Sequence, residues 1–494
     1  MKKLVKVVII NNAYKYKFFI QFLKNIASKR YLYNIKDYKV IMDTASLNSG
    51  IKYFDFSNSI VMEDSSEEAY YFLSKKKRKE IVIEKPAKGK IIVEFINEDG
   101  TLYKCVYNYI EESTLYKKIE RNEKITLNGC YIRNFDIRKI KNYTNLKINS
   151  LVAIHSFWDG NTDFANGHFK DDVIFEKAVF NGNVTFFSTK FGDGNISFFG
   201  ANFSCANLII TNAHFGKGIL SFEFAVFGQK SLSFMLAHFG YGDVSFFGAK
   251  ANEIKFTDNN FISHVDLRLE EIDNLIIKNC IIEKTMKCDK CGNNFIEYKV
   301  LSFLDTVNLG HIYLDWENNK VFDAINNFRI ENEAGKNIGF SYKQKIQQFR
   351  MLKENFHNIG YYSDEDLCYR AYMNARVKDN KIFIIKVFDW IGGYGTNPFS
   401  IIPAILFIWF AFGFVYWFFF SNMFSLNISG EAAAINNLLD GLYFSGITFL
   451  TIGYGEISPN VNEYIPRFLA IAEGFIGLFL MSYFTVAVVR KILR

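Results

Sequence analysis

TFLTIGYGE, running from Thr448 to Glu456, sets two glycines one residue apart at the end of an apolar run. Gly453 and Gly455 lack the Cβ that keeps other residues out of left-handed backbone conformations, so alternate positions here are free to turn. The preceding apolar run, Leu438 to Leu450, is too short to cross a bilayer, which takes about 20 residues of helix. A segment that enters an apolar medium, does not traverse it and ends in permissive backbone predicts a re-entrant loop. Such backbone survives at membrane depth only where it is buried in protein or lines an aqueous path.

The flanks fit that reading. No residue from Phe399 to Phe420 is charged, and the stretch from Phe468 to Val489 is interrupted only by Glu473. At about 1.5 Å per residue each is long enough for a hydrocarbon core of ~30 Å. A pore domain at 398–494 follows, with an outer helix at 399–420, a pore helix at 436–450, a filter at 451–455 and an inner helix at 467–490. Between the spans, Ser421 to Ile465 holds no Lys or Arg but has Glu431, Asp440, Glu456 and Glu463, whereas Lys378, Lys381 and Lys386 precede the first span and Arg490, Lys491 and Arg494 end the second. The positive-inside rule then predicts a multi-pass protein of the plasma membrane with both termini cytosolic. No arginine-rich span of the voltage-sensing kind occurs.

Replacing the water around a potassium ion demands a compact ladder of oxygens, which backbone carbonyls supply best. Thr451, Ile452, Gly453, Tyr454 and Gly455 form the candidate ladder, with the Thr451 hydroxyl adding an oxygen at its inner end. The spacing Thr448-x-x-Thr451-Ile452-Gly453-Tyr454-Gly455, between two helices, resembles the two-transmembrane potassium channel pore-loop family over about a fifth of the chain. Gly393-Tyr394-Gly395 repeats the tripeptide outside such a context, so the flanking helices carry the resemblance. It implies a homotetramer in a lipid bilayer, each chain giving one filter strand, with K+ ions in the filter and passive transport through it.

Around the filter, Thr448 belongs to the matched motif, and Tyr443 and Phe444 stand where the family has an aromatic cuff. Glu456 replaces the family's usual Asp after the last glycine, and one more methylene changes the hydrogen bond that ties the filter's outer end to the pore helix. Ile447 is apolar where some members carry a carboxylate. Glu473, an intramembrane carboxyl, must be paired, protonated or in a polar cavity; it either braces the pore helix through Ser445 or Tyr443, or faces the pore and senses protons. Gly474 and Gly477 permit either close packing or a bend that serves as a gate hinge.

Upstream, residues 164 to 261 repeat apolar positions five apart: Phe164/Phe169, Phe175/Phe180, Phe186/Phe191, Phe198/Phe203 and so on to Phe256/Phe261. A small residue lies two positions before the second aromatic, as at Ala178, Ala201, Ala213, Ala225 and Ala237, and glycines such as Gly192, Gly216 and Gly240 follow at turns. Units this short cannot bury a face alone, so they must stack around a central Phe column. The pattern resembles the pentapeptide-repeat family, which implies a right-handed β-helix; its roughly twelve-residue spacing departs from a strict five and leaves coil size open. The expected fold class is multidomain: a cytosolic right-handed β-helix (pentapeptide-repeat-like) plus an α-helical hairpin, then an all-α two-span membrane pore domain with a re-entrant pore loop. The order resembles bacterial pentapeptide-repeat ion channels.

Divisions follow at 1–115, a mixed α/β cytosolic domain of unassigned role; 116–285, the solenoid; 286–380, a helical linker; and 381–397, an amphipathic interfacial segment. In the linker, Phe349, Leu352, Phe356 and Ile359 form one helical stripe, Gly360 stops it, and Ser363 with Asp366 reads as a capping box for the next helix. Seven cysteines without disulfide spacing suit a reducing compartment. Cys288-x-x-Cys291 is half a zinc knuckle, which Cys280, His264 or His311 or a second subunit would have to complete; otherwise both are free thiols on a turn.

A net charge of +7 with acids and bases interspersed does not imply nucleic acid, and Lys75 to Lys79 reads as a solvated loop. The start of the chain is interrupted by Asn11, Asn12, Lys15 and Lys17 and does not read as a signal peptide. No nucleophile motif or phosphate loop supports an enzyme. Expected instead is a potassium-selective channel gated by an unidentified cytosolic ligand or protein partner, or standing open; the alternatives are a non-selective cation channel and a membrane-anchored scaffold.

Overall fold

The computed structural model describes residues 52–55, 83–84, 89–96 and 102–493, apart from 142, 144–145, 229–231, 332–336, 383–384 and 427–434. Most of the expected domain at 1–115, with the Lys75 to Lys79 run, lies outside the described residues. The chain divides into two compact units, Met1–Phe340 and Ser341–Arg494.

The first unit is a β-solenoid of about nine turns. Its most continuous side is a ladder of nine parallel strands from Ile125–Thr126, through Leu151–Val152, Val173–Ile174 and their successors, to His311–Tyr313. Val173 pairs with Ile196, Ile196 with Leu220 and Leu220 with Val244, so one coil takes two of the roughly twelve-residue units. Four aromatic ladders therefore run through the core in place of one central column. Phe175, Phe198, Phe222 and Phe246 stack at 5.3, 4.9 and 4.8 Å between centroids, and Phe180, Phe203 and Phe227 at 4.7 and 5.1 Å. These spacings sit close to the ~4.8 Å between neighbouring strands, so the strand ladder dictates the ring ladder.

The small residues occupy corners. Ala178, Ala201 and Ala225 each donate a backbone hydrogen bond to the Phe three residues earlier and are fully buried, directly after a residue in left-handed conformation. At the glycine turns the reason is close approach: a Cβ on Gly240 would lie 1.7 Å from the Gly216 carbonyl oxygen in the coil beneath. At the first end, strand Leu102–Tyr109 pairs in parallel with Cys130–Arg133, and helix Glu112–Glu120 turns Leu115 and Ile119 onto the core. The coils continue past residue 285, through Thr285–Lys287 to His311–Tyr313, followed by a short helix, Val321–Asn326.

The second unit is helical. A hairpin of Tyr342–Asn358 and Tyr362–Asn380 buries Phe349, Leu352 and Phe356, and Gly360, at φ +77, makes the turn. Its capping box is Ser341 with Gln344 on the first helix; the second starts after Tyr361 without a side-chain cap, so Ser363 falls inside its first turn and the expected Ser363–Asp366 box does not form. A short helix, Lys386–Gly392, sets Phe388 against Phe479 and Tyr483 and leaves Trp390 exposed. Then come the outer helix Ile401–Phe420, the pore helix Leu438–Phe449 and the inner helix Tyr464–Ile492, the first and last within two segments long and apolar enough to cross a membrane.

Candidate functional site: the pore loop and its braces

The pore helix begins with a capping box in which Asn437 and Asp440 satisfy each other's backbone donors, an ordered start for a helix that must stop at a fixed depth. It lies tight against the outer helix because Gly413 and Gly441 face each other: a Cβ on Gly441 would sit 2.5 Å from the Gly413 carbonyl oxygen. Trp409 brackets the contact, its indole donating to the Leu442 carbonyl at 2.9 Å while its own carbonyl lies 2.9 Å from the Ser445 hydroxyl, whose single proton it shares with Glu473.

Where the pore helix ends, its last turn holds the chain that follows. The amides of Ile452 and Gly453 both donate to the Ile447 carbonyl, at 2.9 and 3.2 Å, and that of Thr451 donates to Thr448. Thr451, Gly453 and Gly455 take φ of +54, +56 and +76, an alternation with the two glycines at two of its three turns. Among the described residues nothing donates a hydrogen bond to the carbonyls of Thr451, Ile452, Gly453 or Tyr454. The Thr451 hydroxyl donates to the Leu450 carbonyl at 2.7 Å.

Beyond Gly455, Ile457–Pro459 pairs antiparallel with Phe424–Leu426, tying the exit of the loop to the end of the outer helix. The Tyr443 hydroxyl, on the pore helix, donates to Glu456 at 3.0 Å. Phe444 lies in the core between the helices, edge-on to Tyr416 and Phe424 at 5.0 and 4.8 Å.

Glu473, completely buried, joins the three long helices of this region. Tyr416 of the outer helix donates to one of its oxygens at 2.8 Å, and Ser445 of the pore helix bonds the other. Gly477, one turn further, sits against the end of the pore helix, where a Cβ would lie 2.1 Å from the Phe449 carbonyl oxygen. Gly474 has ordinary room, 3.6 Å from the Thr448 oxygen. The inner helix runs unbroken through both.

A family model described as ion channel matches residues 404–494. Those residues are an ion-channel domain. No curated protein and no solved structure matches the chain. The match spans the outer helix from its first turn, the pore helix, the 451–455 run and the whole inner helix, so every brace just described lies within the channel domain.

The sequence reading named Glu473 and Ser445 and missed Tyr416 and Trp409. Their signal was present: a tyrosine and a tryptophan inside an apolar span carry polar atoms that need a buried partner. Outside the channel domain, Cys288 is buried against the solenoid's last coils, its thiol donating to the Tyr313 carbonyl at 3.3 Å, and burial pushes that thiol upward, away from the thiolate that zinc binds. Cys291 sits on a two-stranded hairpin, Lys290–Cys291 with Asn294–Phe295. Among the described residues no three or more His, Cys, Asp or Glu side chains gather in a metal-holding group.

Proposed function

We propose that four copies of this chain form a potassium-selective pore in the plasma membrane, with Thr451–Gly455 of each lining one quarter of the filter. The single observation that carries this reading is the run of four successive carbonyls without a donor, on backbone whose φ alternates in sign region. These residues are exposed in the single chain; within the proposed assembly, at membrane depth, backbone carbonyls shielded from water require partners, and a dehydrated cation is the partner that a ladder of them suits. The pore helix supports it electrostatically, since its C-terminal end carries roughly half a negative charge and abuts Thr451. Glu456 and Glu463, with Asp440, enrich cations near the outer mouth. Both termini then lie in the cytosol, with the pentapeptide-repeat-like solenoid as the domain that meets a ligand or protein partner. Transport is passive and needs no catalytic group.

The test is reconstitution of the full chain in liposomes and planar bilayers with potassium and sodium opposed. The expected reversal potential follows the potassium gradient, with a fourfold assembly by native mass. A reversal potential midway between the two gradients would make it a non-selective cation channel, and no flux from correctly assembled protein would leave a scaffold.

A further inference from the structure

The end of the inner helix is held by the hairpin. Asp366, on helix Tyr362–Asn380, receives Arg490 at 3.0 Å and Lys491 at 3.1 Å, one on each carboxylate oxygen. Glu365, beside it, lies 3.9 Å from Arg490. Both acids are buried, yet they sit near the start of a helix whose sequence offered Asp366 a local capping role. The Arg490 guanidinium also lies over the Tyr369 ring at 4.6 Å. The same helix grips the segment leading into the outer helix, since Arg370 pairs with Asp389 and Asn374 accepts from the Tyr394 hydroxyl at 3.1 Å.

We propose that Asp366 with Arg490 and Lys491 is a latch through which the hairpin sets the position of the inner helix's C-terminal end, and so the open fraction of the pore. The proposal rests on the channel reading above. Buried carboxylates are tolerated when paired, and losing one partner leaves a charge that drives the structure to another arrangement. An inner helix pinned by one ion-pair cluster at its end therefore has two discrete states, latched and released, and a hairpin that moves biases between them. The latch touches neither the filter nor its braces, so it governs how often the pore opens and not what passes.

Single-channel recording of the full chain tests this with D366N, R490Q and the D366N/R490Q double variant. Each single change is expected to shift open probability on the order of fivefold or more in a common direction, with unitary conductance and reversal potential unchanged. The double variant should shift it no further than the larger single effect, because the two residues act as one unit. K491Q, on a half-exposed partner, should give a smaller shift of the same sign, and it carries the test if D366N fails to assemble. Additive effects, or open probabilities within twofold of the original chain, overturn the latch while leaving the pore intact. A wild-type chain that passes no current overturns the channel reading first and the latch with it.

Discussion

Glu473 is buried among apolar helices and survives there because a tyrosine of the outer helix and a serine of the pore helix each reach one of its oxygens. Removing it strands the Tyr416 hydroxyl and leaves Ser445 the Trp409 carbonyl alone, so E473A is expected to lower the thermal stability of the assembled protein by roughly 1.5–3 kcal/mol, the cost of one buried donor left without a partner. E473Q keeps an acceptor for Tyr416 and a donor for Ser445, whose own proton is then free for the Trp409 carbonyl, and should assemble and conduct. Equal melting temperatures for E473A and the unaltered protein would refute the brace. Beyond Gly455, Y443F deletes the donor to Glu456 without changing shape, and since that pair is exposed its effect is expected in kinetics. Macroscopic current should decline faster under steady conditions, and unchanged relaxation would show that Glu456 holds the end of the 451–455 run by other means.

Among elements, the pore loop was the most legible part of the chain, because its geometry is imposed by residue type: glycine at 453 and 455 and an apolar run too short to span. The braces were legible only in part. An intramembrane carboxyl announces its need for a partner, but Tyr416 lies 57 positions away and nothing in a local pattern selects it. Asp366 misled for the same reason, since Ser363-x-x-Asp366 satisfies a capping rule locally while its real partner lies 124 positions on. In the solenoid the five-residue spacing disclosed the stacked core. Grouping two units per coil depended on which carbonyl approaches which glycine, as at Gly216 and Gly240. The inner helix offers a sharp element-scale test. G477A puts a methyl group 2.1 Å from a backbone oxygen that no rotamer change can move, whereas G474A has ordinary clearance. The first should destabilise the assembly by about 1–3 kcal/mol through overpacking and the second by far less, read as melting temperature and as yield of assembled protein. If G477A is tolerated and G474A is not, the inner helix packs in another register.

On the scale of the whole molecule, the solenoid's stacking makes like side chains neighbours, and this has a consequence for acid stability. Along one side Lys147 pairs with His168 and His168 with Lys190, and bridges continue to His214 and His238, whose rings stack at 4.5 Å. Partial burial first, then Lys147, Lys190 and Lys170, hold His168 below the ordinary histidine range; burial, then His238 and Lys190, do the same for His214. His155 is depressed most clearly, by full burial and Lys177. For each, the unfolded chain takes up its proton near pH 6.5 while the folded chain resists, so the unfolded state binds more protons below that value. The resulting stability is complete above about pH 6.5 and is lost as pH falls towards the depressed folded values. Glu176 and Glu223, raised by burial, act with the opposite sign, their stabilisation being lost as pH rises through their folded values. The histidine share is therefore best read as a difference between variants. In the full chain, denaturant midpoints of the solenoid transition, followed by hydrogen exchange in its strands, should fall between pH 7.5 and pH 5.5. In the H168Q/H214Q double variant the fall should be smaller, with His155 supplying what remains. A double variant with the same or a steeper loss would mean that these two imidazoles gain as much on protonation in the folded coil as in the unfolded chain, and the repulsion along the ladder would have to be relieved by groups other than Lys147, Lys190 and His238.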